Sequence, residues 1–198
     1  MLIRRIMIAV AVCGLSAAPG YGQPIRFTSQ TELGILLGGG PFAAQHGFTG
    51  QTFNGVRLNE FAAVGATVGI DAYRQITLLP LAIGWRGIVP MGGVSPYLGL
   101  DAGYGFAWLN DDTDTEWKEG GLMVNPVVGI RIQSNGNDRF TLAVGYKRQT
   151  YSTFEGQPMM GSATVAPQPD SSLPPGLFSL RQDKYLFQRV SIRVGVVF

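Results

Sequence analysis

The stretch Tyr185–Phe198, YLFQRVSIRVGVVF, decides the fold. Val190, Ile192, Val194, Val196 and Phe198 share one parity, and Arg189, Ser191, Arg193 and Gly195 the other. Successive side chains of a β-strand point to opposite faces, so this alternation predicts a strand with one apolar and one charged face. A soluble edge strand so apolar would invite aggregation.

Upstream, the same pattern recurs in seven further segments separated by turn-forming residues. The first runs over 27–37, with Thr31, Leu33, Ile35 and Leu37 against Gln30, Glu32 and Gly34; the second, 51–58, alternates weakly. The third, 61–70, sets Val64, Ala66, Val68 and Ile70 against a nearly all-small face. The fourth, 76–88, sets Leu79, Leu81, Ile83 and Trp85 against Pro80, Ala82, Gly84 and Arg86, with Pro80 a blemish because proline removes a ladder donor. The fifth, ending at Trp108, opposes Leu98, Leu100, Ala102, Tyr104 and Phe106 to Tyr97, Gly99, Asp101, Gly103 and Gly105. The sixth and seventh, 122–133 and 139–149, carry Asn125, Arg131 and Lys147 on their polar parity.

The connections alternate in length. A Gly-rich stretch 38–50, an acidic loop 110–119 and a long segment 152–184 alternate with a tight turn near Asn59, the connection 90–96 and a tight turn at 134–138, the short link 71–74 being the exception. The Asn135-Gly136 pair suits a hairpin turn that needs positive φ. Ten steps from Leu98 to Trp108, tilted near 45°, cover roughly 23 Å, against an apolar band of about 25 Å for a membrane barrel. Aromatics mark both strand ends, with Tyr104, Phe106 and Trp108 at one rim and Phe140 and Phe198 at the other.

Together, the alternation, the loop asymmetry and the terminal Phe198 resemble small bacterial outer-membrane β-barrels of the OmpA, OmpX and OmpW kind. The resemblance covers nearly all of the chain after its leader and is one of architecture. It implies an all-β, eight-stranded antiparallel up-and-down transmembrane β-barrel, with Phe198 as the assembly signal read by the barrel-assembly machinery. An even strand count puts both termini on one side, expected to be periplasmic. A soluble lipocalin-like barrel alternates too, with its apolar face inward. Apolar-out is favoured by the Gly, Ala, Ser and Thr of the other face, by its charges of both signs, and by Phe198.

The N-terminus fits that location. Arg4 and Arg5 precede an apolar run from Ile6 to Leu15, then small residues, which predicts a signal peptide over 1–22 and a barrel domain over 23–198. The run is shorter than the ~20 residues of a spanning helix. Cys13 follows Val12, where a lipidated cysteine needs a small residue before it. With the leader removed, no cysteine remains and hydrogen bonds and packing must hold the fold. Removing Arg4 and Arg5 from the 15 Lys and Arg leaves 13, equal to the 13 Asp and Glu. No basic stripe speaks for nucleic acid.

On the inward parity lie Glu32, Arg86, Asp101, Arg131, Lys147, Arg189 and Arg193, charges of both signs able to pair. They predict a salt-bridge and hydrogen-bond network plugging the lumen, because a buried unpaired charge is costly; the alternative is a selectivity lining. Glu32 and Asp101 are the acids available to Arg189 and Arg193.

Other groups carry weaker chemistry. His46, the only histidine, would need a serine and an acid, for which Ser152 and Glu155 are candidates, to act in a lipid-modifying enzyme. No nucleophile-elbow motif accompanies them. Asp111, Asp112, Asp114 and Glu116 offer oxygens for calcium but lack EF-hand spacing, and Gly38–Gly40 lacks the Lys and Ser/Thr of a phosphate loop. The segment 152–184, with Pro167, Pro169, Pro174 and Pro175 beside Met159, Met160, Leu177 and Phe178, is a candidate binding loop. The expectation is a non-enzymatic structural or interaction component without cofactor or metal. Its partners are outer-membrane lipid and, through the loops near Gly40, Asp112 and Met160, other envelope proteins. A narrow channel or transporter for small or apolar solutes is the alternative.

Overall fold

The computed structural model describes residues 26–38, 46–73, 76–108, 113, 115–134, 139–158 and 177–198. These form nine strands: β1 (Arg26–Leu37), β2 (Gly47–Arg57), β3 (Ala62–Ala72), β4 (Thr77–Ile88), β5 (Val94–Trp108), β6 (Glu116–Glu119), β7 (Gly121–Gln133), β8 (Arg139–Pro158) and β9 (Leu177–Val197). Eight of them, all except β6, make an antiparallel up-and-down barrel in sequence order. Closure comes from β9, which pairs β8 on one side and β1 on the other, with Val194 opposite both Leu142 and Leu33. The apolar residues of the terminal strand therefore have neighbours on both flanks, and no open edge is left in the wall.

The parity of the sequence becomes inside and outside. Leu98, Leu100, Tyr104 and Phe106 of β5 are exposed while Tyr97 and Asp101 are buried, and β7, β8 and β9 follow the same rule. Side chains on the outside are the large apolar ones, and most of the buried polar ones lie within the wall. Each wall strand reaches its neighbour's backbone, as hydrocarbon demands of any spanning sheet.

Pro80 is buried in mid-strand, opposite Gly105 of β5. The ladder to β3 is interrupted between the Val68–Leu81 and Asp71–Leu78 pairs, which confines the missing N–H to a local gap. Pro126 does the same on β7, where pairing with β8 skips from Val124–Arg148 to Val127–Gly145.

Several expected boundaries shift. The second strand begins at Gly47 rather than Gln51, because Phe48 and Thr49 continue opposite Ile35 and Gly34. Asp71, expected in a link, belongs to β3 and pairs in register with Thr49 and Leu78. The acidic loop 110–119 contains a strand, β6, and the long segment 152–184 is mostly strand at its two ends: β8 runs on to Pro158 and β9 starts at Leu177. The physical reason is mutual pairing. Ser152 through Glu155 oppose Lys184 through Arg181 on one side and Glu119 through Glu116 on the other.

This three-stranded piece lies beyond the wall, since β1 pairs β9 no further than Val190. Nineteen steps along β8 at a tilt near 45° amount to roughly 45 Å, well past an apolar band of about 25 Å. Trp117 and Phe154 stack across it with ring centroids 5.1 Å apart. Its outer edges carry Glu116, Lys118 and Glu119 on β6 and Arg181, Asp183 and Lys184 on β9. Charged edge residues discourage the addition of further strands.

Candidate functional site

The barrel is filled by charge rather than by an apolar core. Glu32, Arg86, Asp101, Arg131, Lys147, Arg189 and Arg193 are each at most 3% exposed. Asp71, at the outer end of β3, is buried with them.

Three ion pairs organise the interior. Glu32 Oε2 accepts from Arg193 Nε at 3.1 Å and from Gln51 Nε2 at 3.1 Å. Its Oε1 accepts from Gln30 Nε2 and from the Tyr97 hydroxyl, both at 2.7 Å. Asp101 Oδ1 accepts from Arg86 Nη1 at 2.8 Å and Thr67 Oγ1 at 2.7 Å, and Oδ2 from Asn125 Nδ2 at 3.1 Å. Asp71 takes Lys147 Nζ on both oxygens, at 2.7 and 2.9 Å, and Thr49 Oγ1 at 2.6 Å. Each carboxylate thus has one cation and at least one neutral donor, which offsets the cost of taking it out of water.

Asp101 goes to Arg86 and Glu32 to Arg193, so neither acid serves Arg189, contrary to the sequence expectation that it shares them. Arg189 instead donates through Nη1 to the Gly38 carbonyl and lies 5.8 and 5.6 Å from the rings of Tyr73 and Phe187. That combination sets the guanidinium against a backbone dipole and two aromatic faces, with Nε left without an acceptor among the described residues. Arg131 is the other cation without a carboxylate: its Nη2 donates to Gln30 Oε1 at 2.7 Å and its Cζ stands 5.1 Å from the Tyr97 ring. Among the described residues the five buried cations outnumber the three buried acids, and the excess sits toward the two mouths.

Aromatic packing closes the mouth away from the termini. Tyr73 stacks on Phe187 at 5.1 Å, Phe187 on Tyr151 at 5.9 Å and Tyr151 on Tyr185 at 5.8 Å, with Leu36, Ile76 and Leu78 buried beside them. An eight-stranded barrel has an interior just wide enough for side chains to fill. Gly84 shows how little room is left. A methyl added there would come within 2.7 to 2.8 Å of Asp101 Oδ1, Phe53 Cδ2 and Thr67 Oγ1. Gly84→Val is therefore expected to destabilise the folded barrel by about 1–3 kcal/mol, read as a lower urea midpoint.

The remaining candidates separate. His46 is exposed at the start of β2, whereas Ser152 lies on β8, with β9 and β1 between those strands. Glu155 faces Glu116 across the β6–β8 pair, and no hydrogen bond joins the three among the described residues. Asp111, Asp112 and Asp114 lie outside the described residues, as do Gly39, Gly40, Met159, Met160, Pro167, Pro169, Pro174 and Pro175. Among the described residues, no group of three or more His, Cys, Asp or Glu gathers to hold a metal.

Asp71, Gln30, Gln51, Thr67, Tyr97 and Asn125 were not singled out in the sequence as part of the network. All six lie on inward parities, so the signal was present for each; which acid meets which base depended on closure of the barrel.

A closed, eight-stranded antiparallel barrel, apolar outside and polar and filled inside, has the fold of small outer-membrane β-barrels. Solved structures that share it include two small barrels. One is Neisserial surface protein A, at 12% identity and a TM-score of 0.51, covering 86% of this chain and 94% of that one. The other is the outer-membrane protein OprG from Pseudomonas aeruginosa, at 14% identity and a TM-score of 0.50, covering 87% and 95%. At such identities the likeness is one of fold. No family model matches the chain, and no curated protein matches it.

Proposed function

We propose that this protein is an integral outer-membrane β-barrel acting as a structural or interaction component, with its lumen plugged and its β6–β8–β9 sheet presented to a partner. One observation carries the reading: the interior is occupied by three buried ion pairs beneath an aromatic seal, leaving the projecting sheet as the part built outside the wall. Loops and projections on a rigid scaffold are where binding is most often placed. In this reading the termini face the periplasm, Phe198 serves insertion by the barrel-assembly machinery, and the partner is another envelope protein.

Planar-bilayer recording tests the plugged lumen. The expected result is no reproducible unitary conductance from the purified full chain. A reproducible conductance abolished by Arg131→Gln or Arg193→Gln would instead make this a narrow channel whose cations line the path.

A further inference from the structure

The mouth that carries the chain termini differs from the rest of the interior. Its cavity, about 450 Å³, is lined by the guanidinium residues Arg26, Arg57, Arg131 and Arg139, with Glu60 as the one carboxylate among the described residues. The convergence follows from register. Arg26 opposes Arg57 across β1 and β2, Arg139 opens β8 opposite Val197, and Arg131 reaches the same space from β7. Arg57 lies within electrostatic reach of both Arg26 and Arg139, and Arg131 within reach of Arg57, Arg86 and Arg139.

Like charges gathered in this way destabilise the barrel unless something answers them. Elsewhere in the lumen Arg86, Lys147 and Arg193 each have a carboxylate and Arg189 a carbonyl and two rings, although Arg189 Nε and Arg193 Nη2 are left without an acceptor among the described residues. At this mouth Arg131 has the Gln30 amide oxygen and the Tyr97 ring but no carboxylate. Arg131 is 97% buried by its 3% exposure, yet its Nε and Nη1 find no acceptor among the described residues, and Arg57 Nε is likewise buried and unmatched. Glu60 is exposed on the turn after β2. A buried charged donor without an acceptor is costly, and an ion is one of the partners that can answer it; here three such nitrogens belong to two arginines that line one cavity.

We infer that this vestibule binds an anion of the phosphate class. Four guanidiniums facing one space exceed what a single carboxylate ligand answers. Guanidinium forks match phosphate oxygens in pairs, through short charge-assisted hydrogen bonds. The pocket walls hold the site in place: the turn residue Gly93, with φ 66°, accepts from Gln133 N at 2.8 Å, and Ser95 Oγ bridges to the backbone of Met91. The phosphate belongs either to a soluble phosphorylated solute or to a lipid headgroup at the adjacent rim, where Phe27, Phe140 and Phe198 are exposed.

The test is isothermal titration of inorganic phosphate into the full chain folded in non-ionic micelles, with the fold of every variant checked by heat-modifiable gel migration. Saturable binding is expected, falling with salt and weakened by about tenfold or more in Arg57→Gln and in Arg139→Gln. Arg181→Gln, on the projecting sheet, is the control and should bind as the parent does. Arg131→Gln is informative only if it folds, so the two rim variants carry the test. In a second arm, nanodiscs containing phosphatidylglycerol or only phosphatidylcholine are examined by native mass spectrometry. Retention of phosphatidylglycerol that is lost in the same variants assigns the site to a headgroup, and binding of free phosphate alone assigns it to a solute. Neither ligand bound, or binding indifferent to Arg57 and Arg139, overturns the inference.

Discussion

Replacing Glu32 with Leu is expected to lower the stability of the folded barrel by about 3–5 kcal/mol, the loss typical when one partner of a buried ion pair is removed. Glu32 is the acceptor for Arg193, Gln30, Gln51 and Tyr97 together. Its removal strands Arg193 in the interior with only Ser191 Oγ, 2.9 Å from Nη1, as an acceptor. The damage also falls on the seam that closes the barrel, because Glu32 is on β1 and Arg193 on β9. Urea titration of the protein refolded into lipid vesicles measures the loss. The double variant Glu32→Leu with Arg193→Met separates charge from packing: if the stranded charge is the main cost, it recovers most of the stability of the parent. A double variant no more stable than Glu32→Leu alone would assign the loss to the missing hydrogen bonds of Gln51 and Tyr97.

The wall was legible in the sequence wherever polarity and parity agree. On β5 from Leu98 to Phe106 and on β8 from Phe140 to Lys147 the outward residues are apolar and the inward ones are Gly, Ala, Asp, Thr or Lys, apart from the small outward Ala102, so period two alone identifies both the strand and its faces. On β2 they disagree. Phe53 points inward, where the Arg86 guanidinium lies 4.5 Å from its ring, while Thr52 and Asn54 point outward and bond to Thr31 and Ser29 on β1, at 3.2 and 2.9 Å. A sequence reader sees only the broken alternation; the compensating contacts are 21 and 25 residues away. The same distance problem hid the ion-pair choices. Lys147 meets Asp71 across 76 positions, and only the closed barrel determines that Arg189 meets a carbonyl rather than an acid. The β6 strand was invisible for a different reason: four residues, EWKE, have no pattern of their own and become a strand by pairing with the extension of β8. The arginine vestibule likewise exists only after closure, since Arg26, Arg57, Arg131 and Arg139 lie on four different strands.

Val194→Arg is expected to destabilise the barrel by about 2–4 kcal/mol, the cost of an arginine on the lipid face near the bilayer midplane. Val194 is 60% exposed on β9, flanked by Leu33 of β1 and Leu142 of β8, so its side chain meets hydrocarbon on a surface with no acceptor for a guanidinium. The neighbouring Arg193 carries that same side chain one residue earlier and is tolerated, because a single step along a strand turns it inward to Glu32. The pair therefore tests the face assignment with chemistry held constant. Urea titration in vesicles reads the energy, and Val194→Leu, which keeps the face apolar, should change it by less than about 1.5 kcal/mol. If Val194→Arg folds, inserts and keeps the stability of the parent, the face that carries Val190, Ile192 and Phe198 is not in contact with lipid. The barrel would then have to be read as soluble, with its exposed apolar stripe covered by something other than a membrane.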